Sequence, residues 1–195
     1  MIIKVCGITN TQDALAAVAA GATAVGFILY SKSPRYVAPE QAQKIVAALP
    51  PKVLKVGVFV DELPRELERI MKAVGLDIAQ LHGRETGSRV PKCVRTWKAF
   101  RVTPEWKPAA MDGFTSEAFV LDSPAHGQTF DWKLAAGLRQ KIILAGGLHA
   151  GNVREAIRTV APWGVDASSR LERRPGLKDH ARVREFVRAA LEAVQ

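Results

Sequence analysis

Short apolar runs alternate with amphipathic stretches along the whole chain. The runs are rich in Val and Ile and continuously hydrophobic, which is typical of strands that are covered on both faces. They cover residues 1–6, 24–29, 53–60, 78–82, 96–102, 118–122, 141–146 and 164–168. Buried strands separated by helical patterns predict an α/β fold with a parallel sheet.

Helical patterns fill most of the intervals between these runs. Pro39 and Pro64 each stand where a helix begins, and Gly75 ends the second of these helices. Asp179 is placed to cap the last helix, whose apolar residues recur every three to four positions. Pro and Gly interrupt residues 103–117, so we expect an irregular connection there in place of a helix.

Together these elements predict a single (β/α)8 barrel of eight parallel strands with a degenerate fifth helix, forming one domain over residues 1–195. At about 24 residues per unit the loops must be short. A doubly wound open sheet is the competing architecture. It would normally have fewer strands at this length, and no G-x-G-x-x-G motif follows the first strand.

Composition narrows the class of protein. Hydrophobic residues make up 48% of the chain, which is ordinary for a globular protein with a sizeable core. No stretch has the pattern of a membrane span or a signal peptide. The two cysteines, Cys6 and Cys93, indicate free thiols, so we expect a cytoplasmic protein. Cys93 lies in no motif and is expected to be a packed core residue.

The net charge of +9 is compatible with two kinds of partner. A nucleic acid is one, but the basic residues are scattered among acidic ones and no aromatic stacking motif accompanies them. An anionic small molecule is the other, because a diffuse positive field concentrates anions near a site. We favour the small-molecule anion and expect neither a nucleic acid nor a membrane as partner.

Candidate chemistry is placed by the fold, because reactive groups of such barrels lie at the carboxyl ends of strands. Cys6 ends the first strand and Asp122 ends the sixth. Arg35 and Gln80 belong to the second and fourth units. Gln80 would line a site at this end, or would satisfy backbone groups of the barrel.

Glycine and serine pairs follow the last two strands. Gly146-Gly147 allows close backbone approach, and Ser168-Ser169 adds hydroxyl donors. This is where barrels commonly hold a phosphate group. The glycine pair alone is equally compatible with a simple tight turn.

A set of motifs carries a family resemblance. The segments are KVCGIT, GFILYSKSPRYV, KVGVFV, IAQLHGRE, FVLDS, FDW, ILAGGL-x-x-x-NV and VDASS-x-x-E-x-x-PG-x-KD, in this order between residues 4 and 179. In combination they resemble the phosphoribosylanthranilate isomerases of tryptophan biosynthesis. The resemblance implies a (β/α)8 enzyme without metal or organic cofactor. It also implies an Amadori rearrangement of N-(5-phosphoribosyl)anthranilate to 1-(2-carboxyphenylamino)-1-deoxyribulose 5-phosphate.

The resemblance also implies roles. Asp122 would be the acid that protonates the ring oxygen, Cys6 the base that removes the C2′ proton, and Arg35 the partner of the anthranilate carboxylate. The acid must keep a proton and the base must lose one, so we expect the pKa of the Cys6 thiol to be lowered. His82 is expected to be structural, and His126 has no assigned role.

Two departures from the family pattern stand out. Arg170 replaces the usual glycine of the phosphate loop, which would either strain a positive φ or add a phosphate contact. The loop after Asp122, SPAHGQTFDW, is shorter than usual, so we expect a smaller or less mobile lid.

Lys4 poses a separate problem, because alternation on a strand turns it inward together with Cys6. A charge inside a barrel needs a partner. First and last strands pair in a closed barrel, so we predict that Lys4 pairs with Asp166.

Other functions remain open at this point. An indole-forming synthase would need a lysine acid that the strand ends do not supply, and a bifunctional sugar isomerase would need an aspartate in place of Cys6. A barrel that has lost catalysis and binds RNA would show strongly salt-dependent binding. The protein could be a monomer or a homodimer.

Overall fold

The computed structural model describes residues 1–87, 93–125 and 127–194, and within them eight parallel strands close into a barrel. Each strand is hydrogen-bonded to the next in chain order, and β8 returns to β1. The strands are β1 Ile2–Val5, β2 Ala24–Ile28, β3 Leu54–Phe59, β4 Ile78–Leu81, β5 Thr96–Arg101, β6 Ala118–Asp122, β7 Ile142–Leu144 and β8 Gly164–Ala167. The predicted barrel is confirmed, and the open sheet is excluded.

Five α-helices lie on the outside of the barrel in the described part of the chain: α1 Thr11–Ala19, α2 Pro39–Ala47, α3 Pro64–Val74, α4 Val153–Val160 and α5 His180–Glu192. The predicted ends are confirmed by their geometry. Gly75 closes α3 in the left-handed conformation, and the Asp179 side chain accepts hydrogen bonds from the first amides of α5.

The fifth and sixth units replace their helices with 3-10 turns, at Pro108–Met111 and Trp132–Ala135. The degenerate fifth helix is therefore confirmed, and the sixth unit likewise has a 3-10 turn in place of an α-helix. Such short connections explain how the chain completes a barrel with so few residues per unit.

Two apolar cores are separated by the strands. The outer core fills the layer between the barrel and its helices. The inner core fills the barrel with alternating residues of the strands: Ala24, Val56, Ile78, Trp97, Ala99, Ala118, Val120, Ile143 and Ala145. Because the interior is packed, a cavity can form only where the loops meet at an end of the barrel.

A short antiparallel hairpin follows β8. Its strands are β9, Glu172–Arg174, and β10, Leu177–Lys178, and Gly176 turns between them with a φ of 79°. The sequence pattern did not predict this hairpin. It brings two charged side chains, Glu172 and Lys178, into buried positions.

None of the helices in the described residues is long and apolar enough to cross a membrane.

Candidate active site

A cavity of about 620 Å³ lies at the carboxyl end of the barrel. Its volume is in the range of small-molecule sites. All of the candidate site residues named above lie on its wall: Cys6, Arg35, Gln80, Asp122, Gly146, Gly147, Ser168, Ser169 and Arg170. Segments that are far apart in sequence therefore meet at one place, as the strand-end rule predicts.

Cys6 follows β1 directly and is only 6% exposed. Lys4, on the same face of β1, is completely buried, and its Nζ donates a hydrogen bond of 2.7 Å to Oδ2 of Asp166. The two residues stand opposite each other in the register of β1 and β8. The predicted Lys4–Asp166 pair is confirmed, and it fixes a cation close to the thiol.

The protonation of the thiol differs from the expectation. Burial raises the pKa of the Cys6 thiol, and the positive charge of Lys4 opposes this only in part. The prediction of a lowered pKa is therefore wrong for the protein without substrate, because the loss of water outweighs the neighbouring cation. Burial alone would lower the pKa of Lys4, but the charges of Asp166 and Cys6 raise it, so Lys4 remains an ammonium.

Gly26 on β2 gives Cys6 and Lys4 their space. A Cβ atom at position 26 would lie 2.7 Å from the Cys6 sulfur and 3.1 Å from the Lys4 nitrogen. No side chain fits there without displacing the thiol. Sequence reasoning missed this residue, although a glycine inside a strand often marks such a close approach.

Asp122 ends β6, and its Oδ1 accepts the amide hydrogen bond of Ser123 at 2.8 Å. Its other oxygen, Oδ2, lies 3.4 Å from Nε2 of His82, which also lines the cavity. His82, which we expected to be structural, therefore lies on the cavity wall beside the candidate acid. Gln80 and His82 point inward, whereas Leu81 between them packs into the outer core.

Gln80 is 2% exposed, and its Nε2 lies 3.3 Å from Nδ1 of His82. Its Oε1 has no hydrogen-bond partner among the described residues. The Gln80 amide thus lines the cavity, which was the first of the two alternatives expected for it. It also orients the His82 ring, which lies next to Asp122.

Arg35 is buried on the cavity wall against the hairpin after β8. Its Nη2 lies 2.8 Å from Glu172 Oε2, and its Nε lies 2.9 Å from Oε1. The resemblance makes Arg35 the partner of the anthranilate carboxylate, and in the structure the edge formed by Nε and Nη2 faces Glu172.

Lys178 is a second cation on Glu172, with its Nζ 2.9 Å from Oε1. Burial would raise the pKa of Glu172, but Arg35 and Lys178 together hold it below its usual range. The sequence pattern gave Glu172 and Lys178 no site role. Both belong to the motif VDASS-x-x-E-x-x-PG-x-KD, which contributed to the family resemblance but was given no role for these two residues.

The glycine pair after β7 is both a tight turn and part of the cavity wall. Gly146 has a φ of 84° and Gly147 a φ of 62°, which other residues rarely adopt. A Cβ atom on Gly146 would also lie 2.6 Å from the amide nitrogen of Ser123. At the end of the neighbouring strand β8, Oγ of Ser168 is buried without a hydrogen-bond partner among the described residues.

Arg170 lies in the 3-10 turn Ser169–Leu171, exposed at the cavity rim. Among the described residues, the non-glycine positions with positive φ are Asp61 and Ala161. Arg170 is therefore unstrained, and the first of its two alternatives is wrong. Arg101, which sequence reasoning missed, adds another guanidinium to the lining.

The remaining expectations concern residues away from the cavity or outside the described chain. Cys93 is exposed and its sulfur donates to Glu68, so its assignment to the core is wrong. His126 lies outside the described residues, and the reduced mobility of its loop stays a prediction. Within the described residues, no group of three or more His, Cys, Asp or Glu side chains could hold a metal ion.

Comparison with known proteins identifies one family along nearly the whole chain. The family model described as "N-(5'phosphoribosyl)anthranilate (PRA) isomerase" matches residues 3–189. An N-(5'-phosphoribosyl)anthranilate isomerase from Solibacter usitatus is 49% identical, covering 100% of this chain and 99% of the relative.

Solved structures that resemble this barrel come from the same family. The phosphoribosyl anthranilate isomerase of Thermus thermophilus superposes with a TM-score of 0.93 at 36% identity, covering 100% of both chains. A phosphoribosyl anthranilate isomerase in complex with reduced 1-(o-carboxyphenylamino)-1-deoxyribulose 5-phosphate has a TM-score of 0.87 at 38% identity, covering 98% of this chain and 100% of that one. With the barrel and its cavity, these matches show that the chain belongs to the N-(5′-phosphoribosyl)anthranilate isomerase family.

Proposed function

We propose that the cavity performs the Amadori rearrangement of N-(5-phosphoribosyl)anthranilate, with Asp122 as general acid and Cys6 as general base. The observation that supports this most strongly is that a carboxyl and a thiol, from the ends of β6 and β1, line the same cavity. The reaction needs one group that gives a proton and one that takes a proton.

Asp122 acts in the first step. Its carboxyl gives a proton to the furanose ring oxygen, and the bond between that oxygen and C1′ breaks. The lone pair of the anilino nitrogen forms the C=N bond of a protonated Schiff base. The His82 ring faces the same carboxyl, with its Nε2 3.4 Å from Oδ2, and helps to orient it.

Cys6 acts in the second step. In its thiolate form, which the charge of Lys4 favours against the effect of burial, it takes the C2′ proton and becomes a thiol. The electron pair of the broken C–H bond forms the C1′=C2′ double bond, and the nitrogen recovers its lone pair. The resulting enolamine takes up a proton at C1′ and loses one from the C2′ hydroxyl, which gives the ketone. Atoms and electrons are conserved, as an isomerisation requires.

Binding of the two anionic ends is assigned to different groups of the cavity wall. Arg35 supplies positive charge for the anthranilate carboxylate, with its orientation held by Glu172. The phosphate lies among the backbone of Gly146-Gly147, the hydroxyls of Ser168-Ser169 and the Arg170 guanidinium. Gln80 lines the middle of the site.

The wider proposal is a cytoplasmic enzyme of tryptophan biosynthesis whose partner is this anionic small molecule and which needs no cofactor. Residues 1–195 act as one domain, and neither nucleic acid nor membrane is a partner. Light scattering after size-exclusion chromatography distinguishes a monomer from a homodimer.

The test is a fluorescence assay that follows the loss of phosphoribosylanthranilate. We expect turnover by the wild type, and a fall in kcat of about 100-fold or more in Cys6→Ser and in Asp122→Asn, because each removes a proton-transfer group. Cys93→Ser is the matched control, since its thiol is exposed and outside the cavity. Equal rates for wild type and Cys6→Ser would overturn the role of Cys6. No turnover by the wild type would overturn the function.

A further inference from the structure

The buried ammonium of Lys4, next to Cys6, takes no part in the two proton-transfer steps of the proposed reaction. We propose that Lys4 is a positioning residue for the base: it is the counter-ion of the Cys6 thiolate, and Asp166 limits how much of its charge the thiolate receives. This inference rests on the proposed function, since it takes Cys6 to be the base.

The geometry places the cation and the thiol together. Sγ of Cys6 and Nζ of Lys4 lie 2.7 and 3.1 Å from the same point, the position that a Cβ atom would take on Gly26. Lys4 has no solvent exposure, so water screens its charge little. At such a site a unit charge acts far more strongly than at the surface.

A purely structural role explains Lys4 poorly. The inner core of the barrel, apart from the Lys4–Asp166 pair, is built of apolar side chains, and a buried ion pair is often no more stabilising than well-packed hydrophobic side chains. A cation in this layer therefore needs a chemical reason. The thiolate that forms beside it is the group that gains from a fixed positive charge.

Asp166 has the opposite effect on the thiolate. Its Oδ2 holds Lys4, while its Oδ1 has no hydrogen-bond partner among the described residues, and the side chain lines the cavity. The carboxylate neutralises part of the Lys4 charge and repels a second anion nearby. Lys4 and Asp166 should therefore shift the pKa of the Cys6 thiol in opposite directions.

The charged groups that act on Cys6 come from three elements. They are Lys4 on β1, Asp166 on β8 and Lys178 on β10. Lys178 is already bound to Glu172 at 2.9 Å and to the carbonyl oxygen of Ser168 at 3.3 Å. Asp122 and His82 act on Asp166 and so reach the thiol indirectly. Removal of the Lys4 charge should therefore change the titration midpoint of Cys6 more than removal of any other of these cations.

The experiment titrates the thiol directly. Cys93→Ser removes one of the two cysteines, so that Cys6 alone reacts with iodoacetamide. The rate of alkylation, followed by mass spectrometry from pH 6 to pH 10.5 (about the range a thiol titration needs), gives the midpoint for Cys6. In this background, Lys4→Met should slow alkylation about tenfold at pH 8, which corresponds to an upward shift of about one pH unit. Asp166→Asn should lower the midpoint.

Two controls separate this role from a general loss of structure. Lys55→Met removes another buried lysine, one that pairs with Asp77 at 3.7 Å and lies outside the cavity lining. It should leave the Cys6 midpoint in place. Thermal unfolding of each variant shows whether it is folded under the conditions of alkylation.

The outcomes are distinct. An unchanged midpoint in folded Lys4→Met, or shifts of the same sign in both variants, would overturn the inference. If Lys4→Met does not fold, Asp166→Asn decides alone: a lower midpoint supports the inference, and an unchanged or higher one contradicts it.

Failure of the proposed function can be told apart from failure of this inference. The titration uses no substrate, whereas the Cys6→Ser assay does. If Cys6→Ser keeps full activity, the role of Cys6 as base fails. If Cys6→Ser is inactive but Lys4→Met titrates like the wild type, only the role of Lys4 fails. In the expected case Lys4→Met also lowers kcat at least about tenfold, with a smaller change in KM.

Discussion

The imidazole of His82 joins two residues of the cavity, since its Nε2 lies 3.4 Å from Asp122 Oδ2 and its Nδ1 lies 3.3 Å from Gln80 Nε2. When the Gln80 amide donates to Nδ1, the ring carries its proton on Nε2, the nitrogen that faces the carboxylate. For Nε2 to accept from a protonated Asp122, the ring proton must lie on Nδ1, with the Gln80 amide turned so that its Oε1 accepts that proton. The ring therefore holds the proposed acid in place through both halves of its proton transfer.

His82→Ala tests this arrangement. The side chain is 23% exposed, so its loss should be tolerated by the fold. We expect kcat to fall about ten- to hundredfold with little change in KM, because the ring acts on Asp122. His180→Ala is the matched control, since His180 pairs with Asp13 at 2.8 Å outside the cavity. A raised KM with unchanged kcat would show that His82 contacts the substrate instead.

Gly26→Ala tests the space reserved for the thiol. The added methyl group must displace Cys6 and Lys4, so we expect kcat to fall at least about tenfold and stability to fall by about 1–3 kcal/mol. Gly57→Ala on β3 is the matched control, because its Cβ atom would meet Leu76 and Phe59 at 2.7 and 2.8 Å. It should destabilise the protein by a similar amount without changing kcat. Wild-type kcat in Gly26→Ala would contradict the close packing of the thiol.

The barrel could be predicted from the sequence because all eight strands are buried on both faces, and such strands are continuously apolar. The hairpin of β9 and β10 could not. Its strands are short and carry Glu172, Arg173, Arg174 and Lys178, so neither periodicity nor propensity marks them. Its position follows from the ion pairs of Glu172 with Arg35 and Lys178, which are tertiary contacts.

The site was predicted as far as strand ends and motifs could place it. Cys6, Asp122 and the glycine and serine pairs meet because barrel topology brings the carboxyl ends of strands together. The position of His82 on the cavity wall could not be predicted, because a histidine after an apolar strand has the same sequence signature whether it packs or lines a cavity. The direction of the Cys6 pKa shift depends on desolvation and Asp166, which raise the pKa, against Lys4 and Lys178, which lower it, and a linear sequence does not contain that balance.

Arg170→Gly tests the proposed phosphate contact. Arg170 adopts an ordinary φ, so the substitution relieves no strain and should cost at most about 1 kcal/mol of stability. We expect KM to rise several-fold with kcat nearly unchanged, and inhibition by inorganic phosphate to weaken in parallel. Arg174→Gly, in the same region but outside the cavity lining, should leave both constants unchanged. An unchanged KM in Arg170→Gly would remove this residue from the binding site.

Glu172→Gln tests the charge cluster behind the cavity. It leaves Arg35 and Lys178 buried without their common carboxylate, so we expect a loss of about 3–5 kcal/mol in the free energy of unfolding at pH 7. KM should also rise, because Glu172 orients the Arg35 guanidinium. Glu117→Gln is the control: Glu117 pairs with Arg95, which is 54% exposed, and its loss should cost less than about 1 kcal/mol.

The pH dependence of the Glu172→Gln effect has a definite sign. Arg35 and Lys178 hold the pKa of Glu172 in the folded protein below its usual range, against the effect of burial. Its stabilisation is therefore complete above the pKa of an unfolded glutamate, about 4.3, and is lost as the pH falls through the lower folded value. Urea unfolding from pH 7 to about pH 3 should show a constant difference between wild type and Glu172→Gln near neutrality that shrinks only in acid. A difference that stays the same throughout this range would mean that the Glu172 carboxylate charge is not what stabilises the cluster.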